Sequence, residues 1–201
     1  MLMLVLFMIF GKLSAEDKVF TSNGSIYDSE VWDTVSVQND TTVVDMWGGT
    51  VADLGSTDAS MVNIYGGDII GGPGFLFEKG LSAWSSSTIN IYGGYMCVAS
   101  SFDSGKLNIY GGDIDVLWCK GTTPTGTATV DIFGLNLFLI ETGGDYGYGL
   151  VSGSWSDNTQ FIIDLWAANT APSITLHEIP EPCTILLFSL GSIILVKKQK
   201  V

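Results

Sequence analysis

The chain has 201 residues, with 21 Asp and Glu against 8 basic residues, all of them Lys, for a formal net charge of −13. That length allows one domain with a real core, and the acidity excludes a nucleic-acid binder because like charge repels phosphates. Three cysteines are too few for a disulfide scaffold, and 25 glycines among many β-branched residues favour strands and tight turns over helices.

Leu2 to Phe10 is an uninterrupted apolar run, followed by Gly11-Lys12-Leu13-Ser14-Ala15 and the acidic pair Glu16-Asp17. The run is too short to span a bilayer and matches the apolar stretch of a secretory signal peptide, so residues 1–15 are expected to be that signal, cleaved after Ala15. Between Glu16 and Pro182 only Lys18, Lys79, Lys106 and Lys120 stand against the acids. Such a surface suits a soluble exterior or one that attracts cations.

The middle of the chain repeats. Val44-Asp45-Met46-Trp47-Gly48-Gly49, Val62-Asn63-Ile64-Tyr65-Gly66-Gly67, Ile89-Asn90-Ile91-Tyr92-Gly93-Gly94, Leu107-Asn108-Ile109-Tyr110-Gly111-Gly112 and Val130-Asp131-Ile132-Phe133-Gly134-Leu135 align, with the Asn/Asp positions 18, 27, 18 and 23 residues apart. Val35-Ser36-Val37 reads as an earlier, degenerate copy. Each unit alternates with period two, the pattern of a half-buried strand. The glycine pair permits positive φ and a corner, and a second short apolar piece follows it. Strand, glycine corner, strand and polar turn make one coil of a solenoid. Residues 16–140 are therefore expected to form a short right-handed parallel β-helix of about five irregular coils, in an all-β protein. An antiparallel sandwich is the rival, and it does not explain one marker recurring in one register.

Stacked in register, Asp45, Asn63, Asn90, Asn108 and Asp131 make one outward ladder, and Trp47, Tyr65, Tyr92, Tyr110 and Phe133 make another. Both can serve structure, through amide hydrogen bonds and ring stacking, or the rings can contact sugars. A one-residue shift would exchange the ladders with the core, so the choice of interior face stays open. Cys97 and Cys119 fall at different offsets after their glycine pairs and are expected as small buried residues. Residues 141–178 break the pattern. Leu150 to Trp155, Gln160 to Leu165 and Ser173 to His177 read as strands, with a hairpin turn at Ser156-Asp157-Asn158, and this segment is expected to cap the solenoid.

The chain ends in Pro180-Glu181-Pro182, a mostly apolar stretch from Cys183 to Val196 containing Gly191, and the basic tip Lys197, Lys198 and Lys200. The prolines disfavour helix up to Pro182, after which an apolar helix is expected. In the order of these parts the tail, 179–201, resembles that of the PEP-CTERM proteins. The resemblance implies recognition and cleavage near Pro180-Glu181-Pro182 by an exosortase, membrane anchoring through the apolar helix before processing, and release to the cell envelope or extracellular matrix. Cys183 and the terminal lysines depart from the family's usual Ser, Thr or Ala and Arg.

Chemistry is sparse. His177 is the sole histidine, so no catalytic triad or His/Cys metal cluster can be assembled around it. Gly66-Gly67-Asp68 and Gly111-Gly112-Asp113 fail the calcium-binding nonapeptide pattern, leaving weak, nonspecific Ca²⁺ binding and no cofactor. The expected function is a non-enzymatic, exported bacterial envelope or matrix protein, structural or adhesive, with exosortase and exopolysaccharide or other matrix components as partners. The alternatives are a carbohydrate-binding module using the aromatic ladder and, with less support, a polysaccharide-active β-helix enzyme.

Overall fold

A computed structural model describes residues 16–71, 79–120, 127–166 and 173–180. The expected signal peptide and the tail from Glu181 onward, including Pro182, Lys197, Lys198 and Lys200, lie outside the described residues, so of the sorting motif only Pro180 is placed. The protein is all-β. In chain order the strands are β1 (Glu16–Phe20), β2 (Gly24–Ile26), β3 (Val31–Val37), β4 (Val43–Met46), β5 (Thr50–Ser56), β6 (Met61–Ile64), β7 (Asp68–Ile69) and β8 (Leu81–Ala83). They continue with β9 (Thr88–Ile91), β10 (Tyr95–Phe102), β11 (Lys106–Ile109), β12 (Asp113–Lys120), β13 (Thr129–Ile140), β14 (Leu150–Ser154), β15 (Gln160–Leu165) and β16 (Ile174–Glu178).

The strands form two parallel sets between which the chain alternates. One set runs β1-β3-β5, then β7 with β8, then β10-β12; the other runs β2-β4-β6-β9-β11-β13-β16. In the second set each repeat meets its equivalent in the next: Val44 pairs Val62, Val62 pairs Ile89, Ile89 pairs Leu107 and Leu107 pairs Val130. The aliphatic positions point inward. Val44, Met46, Val62, Ile64, Ile89, Ile91, Leu107, Ile109, Val130 and Ile132 are all fully buried, which settles the interior face. They pack against Val51, Leu54, Ile69, Leu81, Met96 and Leu117 from the first set.

The irregular spacings have local causes. Val51 and Leu54 are three residues apart, but their partners Ile69 and Leu81 are twelve apart, so the nine surplus residues of the 27-residue spacing interrupt a single strand position between β7 and β8. The Gly80 amide, on the return, donates to Asp53 Oδ1 at 3.2 Å. Ser101 and Lys106 are five residues apart and their partners Cys119 and Thr129 ten, so the five surplus residues of the 23-residue spacing fall between β12 and β13.

Two kinds of corner join the sets. The second glycine of each pair, Gly49, Gly67, Gly94 and Gly112, has φ between 87° and 100°, where a side chain is strained. The opposite corners put Asn39, Asp58, Ser85 and Asp103 at positive φ, a region that Asn and Asp tolerate best. Buried serines line these turns and satisfy carbonyls that solvent cannot reach: the hydroxyl of Ser87 donates to Ser56 O at 2.9 Å and that of Ser60 to Val37 O at 3.2 Å. Nothing in the hydrophobic pattern announced this inner serine row.

In the fifth repeat Leu135 replaces the second glycine, and the corner disappears. β13 runs on for twelve residues, bulging at Asn136 with φ 51°. Its second half pairs antiparallel with β14, which pairs antiparallel with β15, which returns parallel to β12. The antiparallel cap thus starts at Leu135, inside β13 rather than at 141, and the expected hairpin forms over Ser156-Asp157-Asn158. The Glu178 carboxylate accepts from the Asn136 and Leu137 amides at 3.1 and 2.7 Å, clamping the bulge.

Two further copies of the repeat lie outside the five aligned in sequence. Gly24-Ser25-Ile26 pairs Val44-Asp45-Met46, so the copy preceding Val44 is this one and not Val35-Ser36-Val37, which lies in the other set against Leu54-Gly55-Ser56. The alternation is the same in both segments, but Val37 leads into a polar turn whereas Ile26 is followed by an aromatic residue, Tyr27. At the far end Ile174-Thr175-Leu176-His177 pairs Val130-Asp131-Ile132-Phe133. This last strand, expected within the cap, extends the parallel set instead.

Candidate functional site

The outward positions of the second set form two continuous ladders. In the first, Asn63 Nδ2 donates to Asp45 Oδ1, Asn90 Nδ2 to Asn63 Oδ1 and Asn108 Nδ2 to Asn90 Oδ1, each at 2.8 Å. Three amides can bridge only three of the four gaps between five positions. The gap left over lies between Asn108 and Asp131, where two acceptors would face each other. There Lys106 Nζ meets Asp131 Oδ2 at 2.8 Å, and His177 Nε2 meets Asp131 Oδ1 at 2.8 Å. Cationic and N–H donors thus serve the carboxylate that no amide serves.

Burial works to raise the Asp131 pKa, but the hydrogen bonds and charges of Lys106 and His177 outweigh it and hold the carboxyl below its usual value. A folded-state pKa below the unfolded one contributes stability above the unfolded value, about 3.9, and loses it as pH falls through the folded value. Lys106→Met is expected to return the Asp131 pKa toward the usual range, with a stability loss of no more than about 1 kcal/mol at neutral pH because the pair is partly exposed. A carboxyl-carbon NMR titration checks the shift; an unmoved Asp131 pKa would contradict this account.

The second ladder is aromatic. Trp47 and Tyr65 stack at 4.2 Å, Tyr65 and Tyr92 at 5.1 Å, Tyr92 and Tyr110 at 5.0 Å, Tyr110 and Phe133 at 4.5 Å, and Phe133 and His177 at 4.4 Å, with interplanar angles of 8° to 14°. His177, a lone residue in the sequence, is the sixth ring of this stack and also a ligand of the first ladder. The signal that identifies it is the apolar-polar-apolar-aromatic order of Ile174-Thr175-Leu176-His177. Trp47, Tyr65 and Tyr92 remain 52%, 40% and 45% exposed. Because each ring covers its neighbour's face, the ladder presents ring edges and phenol groups to solvent.

A cleft of about 470 Å³ opens where the cap hairpin leans on the glycine corners. Its walls are Tyr92 and Tyr110 on one side and Trp155, Asp157 and Gln160 on the other, over the backbone of Gly93, Gly111 and Gly112. The indole N–H of Trp155 donates to Gly112 O at 2.9 Å, and its ring stacks on Phe161 at 3.8 Å. These contacts fix the distance between the hairpin and the repeats. A Cβ at Gly93 would lie 2.7 Å from the Tyr65 carbonyl oxygen, so the floor stays bare of side chains.

Cys119 is buried and Cys97 half-buried, and they are not bonded to each other; Cys119 pairs Ser101, four residues beyond Cys97 on β10. Among the described residues no group of three or more His, Cys, Asp or Glu is placed to hold a metal ion. Nor is any described helix long and apolar enough to cross a membrane. Compared with family models, curated proteins and solved structures, the chain matches none.

Proposed function

We propose that the protein is an exported structural or adhesive component of a bacterial cell envelope or extracellular matrix, built as a stiff rod. On this reading the body is a short right-handed parallel β-helix of irregular coils with a C-terminal strand cap. The parallel pairing of successive repeats in one register supports it, as does the closure of one parallel set by the β14–β15 hairpin, which hides an edge that would otherwise recruit other strands.

The observation that carries the structural role is that the conspicuous outward residues engage one another. Six rings stack face to face and three amides link four positions, all on one side of the molecule. Aromatic pairs contribute about 0.5–1.5 kcal/mol each beyond their buried area, so the stack resists shear between repeats. The same geometry weighs against the ladder as a sugar platform, because a pyranose would need a ring face and the four inner rings, Tyr65, Tyr92, Tyr110 and Phe133, are covered on both faces.

Export rests on the N-terminal apolar run. Sorting rests on Pro180-Glu181-Pro182 with the apolar stretch and Lys197, Lys198 and Lys200, which anchor the chain until an exosortase cuts near the motif. Exopolysaccharide is the matrix partner in this setting. The test is the intact mass of the protein from its native envelope. The expected mass lacks residues 1–15 and everything beyond the Pro-Glu-Pro region; a mass retaining Cys183 to Val201 would make the tail an ordinary anchor and end the exosortase reading.

A further inference from the structure

We infer that the cleft between the Tyr92/Tyr110 step of the ladder and the β14–β15 hairpin binds a neutral glycan, gripped by hydrogen bonds rather than by ring stacking. The inference deepens the matrix reading above and rests on it for the biological source of the glycan. The cleft volume, about 470 Å³, lies within the range of roughly 300–1,000 Å³ usual for small-ligand sites.

The lining selects the chemistry. Tyr92 lies between Tyr65 and Tyr110, Tyr110 between Tyr92 and Phe133, and Trp155 against Phe161. With both faces of Tyr92 and Tyr110 covered, neither ring offers its π cloud to a cation, which would find only the carboxylates to hold it. Anions meet the carboxylates of Asp113 and Asp157 and no lysine among the lining residues, so phosphates and uronates are disfavoured. A neutral polyol has what remains: hydroxyls that donate to carboxylates and accept from phenols.

The polar groups keep capacity for a ligand. Asp157 Oδ1 accepts the Thr159 amide at 2.9 Å and the carboxylate also bonds the Thr159 side chain, which leaves part of the acceptor capacity of its two oxygens for a ligand. That backbone bond, first among its causes, also holds Asp157 below the usual carboxylate pKa, so it stays an acceptor at neutral pH. Gln160 Nε2 donates to Ser154 Oγ at 2.6 Å, and its carbonyl oxygen remains to accept. Because Trp155 is pinned to Gly112, the two walls are held apart before any ligand arrives, which limits the ordering cost of binding.

The test is calorimetry on the full chain with cellohexaose, maltohexaose and xylohexaose as neutral probes and hexagalacturonate as the charged one. Two variants serve as controls: Tyr92→Phe with Tyr110→Phe, which keeps the stack and removes two hydroxyls, and Asp113→Asn, which keeps size and removes charge. At least one neutral hexasaccharide is expected to bind, each variant to weaken it about tenfold with an unchanged urea midpoint, and hexagalacturonate not to bind. Absence of binding by all three neutral probes, variants with unaltered affinity, or equal binding of hexagalacturonate would overturn the assignment. The outcome is independent of tail processing, so the glycan site and the export reading fail separately.

Discussion

Ile91→Ala is expected to destabilise the protein by about 2–5 kcal/mol, a large fraction of the 5–15 kcal/mol typical of a folded domain. Ile91 is fully buried and stands in register between Ile64 and Ile109. The loss combines the transfer energy of the deleted carbons with the cavity they leave. Collapse into that cavity is opposed by the backbone itself, because parallel ladders on both sides hold β6, β9 and β11 at the strand spacing of about 4.8 Å. The effect should therefore fall in the upper half of the range. Ile162→Ala on β15 is the matched control: the residue is 68% exposed, and its loss should change stability by no more than about 0.5 kcal/mol. Urea denaturation of both variants decides the matter; equal costs would mean that the core does not lie between the two strand sets.

Asn90→Asp should cost about 2–4 kcal/mol at neutral pH, although the two side chains are nearly identical in shape. Asn90 is a middle rung: it accepts from Asn108 and donates to Asn63, both at 2.8 Å. A carboxylate there cannot donate, so it faces the Asn63 oxygen. Flipping the Asn63 amide moves the clash rather than removing it, since its oxygen would then face Asp45. Burial and the opposing acceptor both disfavour the charged form, so the introduced carboxyl takes a folded-state pKa above its unfolded value of about 3.9. The sign follows. Below that unfolded value the protonated group can donate and the penalty is absent; the penalty grows as pH rises and is complete above the folded value. Asp45→Asn, at the end of the chain of bonds, keeps an acceptor for Asn63 and should be near neutral at all pH. Denaturation midpoints from pH 3 to 8 separate the two, and a pH-independent cost at position 90 would refute the directional ladder.

The repeats were legible because their alternation has two independent readouts. Apolar residues at Val44/Met46, Ile64, Ile91 and Ile109 specify an inward face, and the Asn/Asp and aromatic markers between them specify the register. The glycine corners were legible for a similar reason, since the second glycine of each pair occupies a φ that other residues adopt only under strain. The outermost copies escaped notice because they lack the markers. Gly24-Ser25-Ile26-Tyr27 has no glycine pair after it, and Ile174-Thr175-Leu176-His177 substitutes Thr for Asn and His for Tyr.

The candidate site divides the same way. Tyr92 and Tyr110 were visible as ladder members, but the cleft beside them was not, because Trp155, Asp157 and Gln160 come from a hairpin more than forty residues downstream. Its position depends on the Trp155 indole reaching Gly112 O, a contact that no local pattern encodes. The role of His177 was equally hidden: Asp131 lies 46 residues before it, and only the parallel pairing of β13 with β16 brings the two together.

By itself, the sequence determined the all-β class, the repeat unit, its corners and the identity of both ladders, because each depends on residues within a few positions of one another. The tertiary structure alone decided where the parallel sets end, which residues close the unbridged gap at Asp131 and where a cleft opens. Those features arise from contacts between segments distant in the chain, and a hydrophobic period carries information about a strand's face but none about the partner that will cover its end.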